Sequence, residues 1–178
     1  PYFHRFMKRF PTVKDLAEAT QEEVYFYWQG LGYYTRARSL YATAQTVVNE
    51  FGGKFPQNRE EVLKLKGIGP YTVASFLALA FNQPETVVDG NVIRVISRLF
   101  RLTEPVSEIL PQIREKAAGL TDRTRPADYA SAIMDLGAMI CTPKNPQCLL
   151  CPWREYCLSK TDPGLEEIPR RGKPAKKG

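Results

Sequence analysis

A chain of 178 residues with 43% hydrophobic content has enough material for one sizeable core or two small lobes. No apolar run approaches the ~20 residues that cross a bilayer, and the opening PYFHRFMKRF has no small-residue cleavage site, so neither a membrane span nor a secretory leader is expected, and the expected location is cytoplasmic. The net charge of +6 is concentrated at one end: Arg170, Arg171, Lys173, Lys176 and Lys177 supply five units within the last ten residues, so the high pI does not by itself argue for a basic face on the folded part.

Taken in order, residues 1–10 predict one amphipathic helix stopped by Pro11. It opens without a methionine or a capping residue, as a segment cut from a longer chain would. Residues 12–19 and 20–28 predict two short helices, the second with a Thr20/Glu23 capping box. His4, the one histidine, falls on an exposed helix face. Residues 29–34, QGLGYY, form a glycine turn, and a long helix over 35–51 follows and stops at Gly52-Gly53. The plain reading of Tyr33 and Tyr34 is core packing against Trp28 and Phe26.

The centre of the chain, residues 58–101, reads as helix, glycine turn, helix, short connection, helix. Asn58 caps the first of these with Glu61 as its box partner, and Val62, Leu63 and Leu65 supply its apolar side. Gly67-Ile68-Gly69 stops it, and Pro70 suits the first turn of the next helix. Residues 71–81 are apolar almost all round and predict a buried helix. Glycines let a backbone approach a ligand, and a helix N-terminus favours phosphate; a lone GxG is equally a structural turn. Asp89, just before a helix over 92–100, reads as an N-cap or as a carboxylate available for chemistry. Beyond it come a helix over 106–120, broken or started near Pro111, a loop at 123–126, and a helix over 128–140 with Ile133, Leu136 and Ile140 at helical spacing. Asp135 on that helix reads as a surface residue. Nothing alternates as a strand does, so the fold class is all-α.

All four cysteines, Cys141, Cys148, Cys151 and Cys157, fall in one short stretch spaced C-x6-C-x2-C-x5-C. Thiols packed this tightly without a secretion signal argue for metal rather than disulfides. Zinc is usually bound by two close CxxC pairs and only one is present; four thiolates equally hold a [4Fe–4S] cluster.

LKGIGPYT followed by VVDGNVIRV resembles the helix–hairpin–helix, Gly/Pro-rich loop and aspartate signature of the base-excision DNA glycosylases. With GLGYYTRARSL, MDLGAMIC and the cysteine intervals, the likeness extends over residues 1 to about 171 and is to the A/G-mismatch adenine DNA glycosylases, the MutY family. The resemblance implies the helix–hairpin–helix glycosylase fold with a C-terminal [4Fe–4S] loop ligated by the four cysteines, Lys144, Arg154 and Lys160 being carried toward DNA. It implies Asp89 as the carboxylate that stabilises an oxocarbenium-like sugar, and Gln29, Tyr33, Gly67, Gly69, Tyr71 and Asn91 as DNA or substrate contacts. Tyr33 would be an aromatic wedge holding the gap left by an extruded base. Bifunctional relatives place a lysine amine directly after the hairpin; Tyr71 stands there, which implies hydrolysis by water without a Schiff base. Lys66 and Pro70 depart from the family's usual hairpin residues.

The implied substrate is double-stranded DNA with adenine opposite guanine or 8-oxoguanine, taken by a monomer near the nucleoid. The implied layout is a helical lobe at 1–105 with its helix–hairpin–helix at about 58–81, C-terminal helices and cluster loop at 106–160, and a basic linker at 161–178. The family's general-acid glutamate, in a helix before the Pro-Tyr-Phe segment, has no counterpart in these residues, nor has the C-terminal domain, so slow or absent excision by the chain as written is the expectation. The competing readings are a non-catalytic DNA-binding iron–sulfur module and a glycosylase of the same superfamily with another base specificity.

Overall fold

In the computed structural model, which describes residues 2–170, polar caps set where the early helices begin. After α1 (Tyr2–Arg9), Thr12 caps α2 (Val13–Glu18), and Asp15 accepts the Thr12 N–H at 3.0 Å to complete a capping box. Thr20 caps α3 (Gln21–Trp28) by accepting from the Glu23 N–H at 3.2 Å. The Glu23 carboxylate, expected to close a second box, pairs instead with Arg9 at 2.6 Å; a charged partner outcompetes a neutral amide. The long helix α4 (Tyr34–Phe51) ends on Gly52 in the left-handed region, whose N–H bonds to Val47 O. Asn58 caps α5 (Arg59–Lys64) by accepting from the N–H groups of Glu60 and Glu61.

Two predicted apolar faces are narrower than the sequence suggested. Val62 and Leu65 are buried, but Leu63 points outward. In α6 (Pro70–Phe81), Val73, Ala74, Leu77 and Ala78 are buried while Tyr71 and Leu79 are exposed, so this helix has a core side and an outer side. Internal contacts divide the chain into two compact units between Val73 and Ala74, within α6. Phe10, Leu16, Ala19, Val24 and Ala44 form a core of the first unit.

The second unit is built on α7 (Gly90–Leu99), which buries Val92, Val95, Ile96 and Leu99. α8 (Val106–Leu120) and α9 (Pro126–Asp135) add Ile109, Ile113, Ala117 and Ile133 to that core. α8 runs unbroken through Pro111, whose neighbours Ile109 and Ile113 are both buried and hold the helix on either side of the missing donor. The helix predicted over 128–140 changes character: α9 passes into a π-helical turn, Leu136–Ile140. Residues 161–170 are not the solvated linker read from the sequence. Ile168 is buried, and Arg170 O accepts from the Val106 N–H at 3.1 Å. Arg171, Lys173, Lys176 and Lys177 lie outside the described residues. Among the described residues there are nine α-helices, no strand, and no helix long and apolar enough to cross a membrane.

Candidate functional site

The two glycines of the hairpin have different physical jobs. Gly67 lies in the left-handed region at φ +79°, and a Cβ there would stand 2.5 Å from Ser39 Cβ on α4. Thr43, also on α4, donates its hydroxyl to Lys66 O at 3.1 Å. Together they press the turn onto α4, so Gly67 is required by packing. Gly69 has no atom within 4 Å of where its Cβ would be. Its carbonyl accepts from the Val73 N–H at 2.9 Å in the first turn of α6, leaving an open backbone surface beside a helix N-terminus.

The second glycine turn presents an aromatic ring. Tyr33 is 81% exposed and holds the left-handed conformation at φ 47°, unusual for a residue with a bulky side chain. The Trp28 indole takes the inner place, edge-on to Phe6, and donates to Gly32 O at 2.8 Å. Tyr34, read from sequence as core, is also exposed, edge-on to Tyr25 with ring centroids 5.5 Å apart. Gln29 is exposed, with its carbonyl accepting from Arg5 Nη2 at 3.0 Å.

Asp89 is half-buried and is the N-cap of α7, so the capping role read from sequence is real. One oxygen accepts from the Val92 N–H at 2.7 Å and the other from Asn91 Nδ2 at 3.1 Å. Asn91 Oδ1 in turn accepts from Arg94 Nη2 at 2.9 Å; Arg94 also donates to Gly137 O at 2.6 Å and to Cys141 O at 2.7 Å. A continuous polar chain thus runs from Asp89 to the first cysteine. Gly137 lies in the π-helical turn against Asn91, where a Cβ would be 2.6 Å from Asn91 Cβ. The carboxylate is consequently fixed in direction by groups that are themselves fixed. The sequence reading missed Arg94 and Arg98. Their signal is two cations four residues apart on a helix whose other residues mostly face the core.

The cysteine loop is wound on short 3₁₀ turns, Cys148–Leu150 and Arg154–Tyr156, and all four thiols are free and half-buried. No three His, Cys, Asp or Glu side chains among the described residues converge on a point for a single ion, so the fit rests on what surrounds the sulfurs. Most of those surroundings are donors, the exception being Arg98 O, 3.5 Å from Cys157 Sγ. Arg98 Nη1 points at Cys141 Sγ at 3.5 Å, and the backbone N–H groups of Trp153 and Ser159 bond the sulfurs of Cys151 and Cys157. The Ser159 hydroxyl, fully buried, has no protein partner. Burial pushes the Cys151 and Cys157 thiols up, and the two N–H groups offset part of that. Donors aimed at sulfur suit thiolates, the form a metal centre requires. Of the cations expected to face DNA from this loop, Lys144 is exposed, whereas Arg154 and Lys160 each lie 3.5 Å from Glu155.

Residues 141–157 match the iron–sulfur binding domain of endonuclease III, and the chain's cofactor is a [4Fe–4S] cluster. An adenine DNA glycosylase of Rattus norvegicus is 43% identical over 159 residues, covering 88% of this chain and 31% of the relative. One from Buchnera aphidicola subsp. Schizaphis graminum is 34% identical over 177 residues, covering 97% and 50%. The chain thus spans between about a third and a half of the length of these curated relatives. A thermostable thymine-DNA glycosylase superposes with a TM-score of 0.79 at 30% identity, covering 89% of this chain and 74% of that one. A trapped endonuclease III–DNA covalent intermediate shares the fold, with a TM-score of 0.75 at 22% identity over 89% of this chain and 74% of that chain. Residues 1–118 match the HhH-GPD superfamily, and the chain belongs to that superfamily of base excision DNA repair proteins.

Proposed function

We propose that the chain is the core of a monofunctional adenine DNA glycosylase. It would hydrolyse the N-glycosidic bond of adenine mispaired with guanine or 8-oxoguanine in duplex DNA. The observation that carries the reaction type is Asp89, a half-buried carboxylate whose two oxygens are each held by a donor. As the base leaves, positive charge develops on the sugar, and a carboxylate already fixed in direction stabilises it without reorganising. The choice of adenine is supported by the adenine glycosylases at 34–43% identity. At the position directly after the hairpin stands Tyr71, which has no amine for attack on the sugar, so water is the nucleophile.

The hairpin at Gly67–Gly69, with Tyr71, would position the DNA backbone through sequence-independent contacts. Tyr33, exposed at its turn, is suited to fill the gap left by the extruded adenine, with Gln29 beside it in sequence. Asn91 would hold Asp89 in register. Cys141, Cys148, Cys151 and Cys157 would ligate the cluster, which supplies a cross-link between the ends of an otherwise irregular loop. The hairpin would lie within residues 58–81 and the cluster-bearing helices within residues 106–160, the latter sharing a core with α7.

The test is single-turnover base release by the holoprotein from duplexes carrying A opposite 8-oxoguanine, A opposite G, and T opposite G. Asparagine caps helices as well as aspartate, so Asp89→Asn keeps α7 capped while removing the charge. Adenine release regained when the family's glutamate-bearing segment is joined ahead of Pro1, and falling by at least ~10²-fold in Asp89→Asn of that form with DNA binding kept, is the expected result. Release of thymine but not adenine would assign another base. Slow or absent release by the chain as written is expected without the family's general-acid glutamate; duplex binding with no release of any base even after the glutamate-bearing segment is joined ahead of Pro1 would make the chain a non-catalytic DNA-binding module.

A further inference from the structure

Arg98 is 1% exposed, the largest fully buried side chain among the described residues. Its guanidinium donates to two separate segments: Nε to Ile168 O at 3.0 Å, and, within residues 141–143, Nη1 to Thr142 O at 2.6 Å and to Cys141 Sγ at 3.5 Å and Nη2 to Pro143 O at 3.1 Å. Its own backbone carbonyl accepts from Cys157 Sγ at 3.5 Å. A single residue therefore touches the first and the last cysteine of the loop.

None of these side-chain acceptors is a carboxylate. A guanidinium keeps its proton under any ordinary condition, and a buried charge without a countercharge is strongly unfavourable. Three carbonyls satisfy the geometry of the fork but supply no full negative charge. The acceptor that can carry one is the Cys141 sulfur, once it is a thiolate bound to iron. Arg94, one turn earlier, reaches the same cysteine only through its carbonyl. The arrangement is thus specific: one arginine supports the loop's backbone, and the other points a donor at sulfur from within the core.

We propose that Arg98 is the buried countercharge of the [4Fe–4S] cluster, a positioning residue that holds a donor against the Cys141 sulfur and holds the cluster's reduction potential up. The inference rests on the cluster assignment. Hydrogen bonds to the sulfurs and net charge are among the factors that set the potential of an iron–sulfur centre. Oxidation removes one electron from the cluster to an electrode and makes the centre less negative. A cation held against a ligand sulfur opposes that loss, so removing the cation makes oxidation easier.

The experiment is a redox titration of the holoprotein, with iron content and far-UV circular dichroism measured on the same samples. Arg98→Gln keeps donors but not the charge, and is expected to shift the oxidised-to-reduced equilibrium at least about tenfold toward oxidation, ~59 mV for one electron. Arg98→Lys keeps the charge without the fork and is expected to recover at least half of that shift. Should Arg98→Gln lose its iron, Arg98→Lys is expected to retain iron and a native spectrum, which supports the countercharge role. Full iron with an unshifted potential in Arg98→Gln overturns the proposal. So does equal loss of iron or fold in both variants, because the fork to the carbonyls would then be the whole role of Arg98. Parent protein purified without oxygen and lacking iron would sink the cluster assignment itself, a result the variants cannot produce.

Discussion

Gly137→Ala tests whether the contact between the π-helical turn and α7 sets the direction of Asp89. The added Cβ would lie 2.6 Å from Asn91 Cβ and 3.1 Å from both Asn91 Cα and Asn91 O. None of these atoms is the end of a flexible side chain, so the clash is relieved only by moving the turn or the start of α7. Overpacking of this kind destabilises by about 1–3 kcal/mol. Taking ~2 kcal/mol, the thermal midpoint of a domain of this size falls by roughly 4–8 °C. The same movement stretches the Arg94 bonds to Gly137 O and Asn91 Oδ1, which lie at 2.6 and 2.9 Å. Base release should therefore fall further than stability alone explains, at a temperature where the variant is fully folded. Gly119→Ala is the internal control. It stands in the exposed last turns of α8 with nothing within 4 Å of the new Cβ, and alanine there should stabilise by roughly 0.5–1 kcal/mol. Both midpoints are read by scanning calorimetry of iron-loaded protein at one scan rate. A Gly137→Ala midpoint within about 1 °C of the parent, which is ~0.5 kcal/mol or less, would refute the reasoning, since the contact would then be yielding.

Three further outcomes are expected. Gly69→Asp should fold like the parent, because its Cβ meets nothing and its backbone is outside the left-handed region, yet bind duplex DNA about tenfold more weakly at moderate salt, ~1.4 kcal/mol, whatever the sequence; unchanged affinity would reduce the hairpin to a structural turn. Cys148→Ser should carry less iron per chain than the parent and lose amide-exchange protection across residues 141–157, and full iron retention would remove Cys148 from the ligand set. The hydrogen bond from Arg101, helped by the Gly164 N–H, holds the Asp162 carboxyl below its ordinary value. Its stabilising contribution is therefore complete above the ordinary carboxylate pKa of ~3.9 and is lost as pH falls below that value. Protection of the Gly164 and Leu165 amides, corrected for intrinsic exchange, should drop in that window in the parent and stay flatter in Asp162→Asn; coincident profiles would show that the pair holds nothing in place.

What could be read from the sequence was chemistry that lies within a few residues along the chain. Thr20, Asn58 and Asp89 cap the helices they precede because an N-cap acts on amides two or three positions ahead. The cysteine intervals are legible for the same reason, all four ligands lying within one short stretch. Where a partner came from elsewhere in the chain, the reading failed or was incomplete. Sequence spacing pairs Glu23 with its own cap, but Arg9 on another helix holds it at 2.6 Å. The aromatic pattern points Tyr34 at the core, whereas it is exposed and packs edge-on against Tyr25. Residues 161–170 looked like a linker by composition, and nothing local announces that Ile168 is buried and that its carbonyl receives Arg98.

The glycines make the same division in a form that bears on function. Gly67 and Gly69 are indistinguishable in a GxG motif, and both invite the idea of a backbone approaching a phosphate. The left-handed backbone of Gly67 and the position of Ser39, nearly thirty residues earlier on α4, separate them. Gly67 is small so that the turn can press on α4, and Gly69 is small while facing nothing in the protein. A residue that folding does not require to be small is the better candidate for a contact with something outside the chain. By that argument Gly69 is the residue to propose for the DNA interface, and Gly67 for the scaffold that aims it. Gly137 joins the scaffold on the side of Asp89, where its missing side chain lets Asn91 stand close enough to hold the carboxylate.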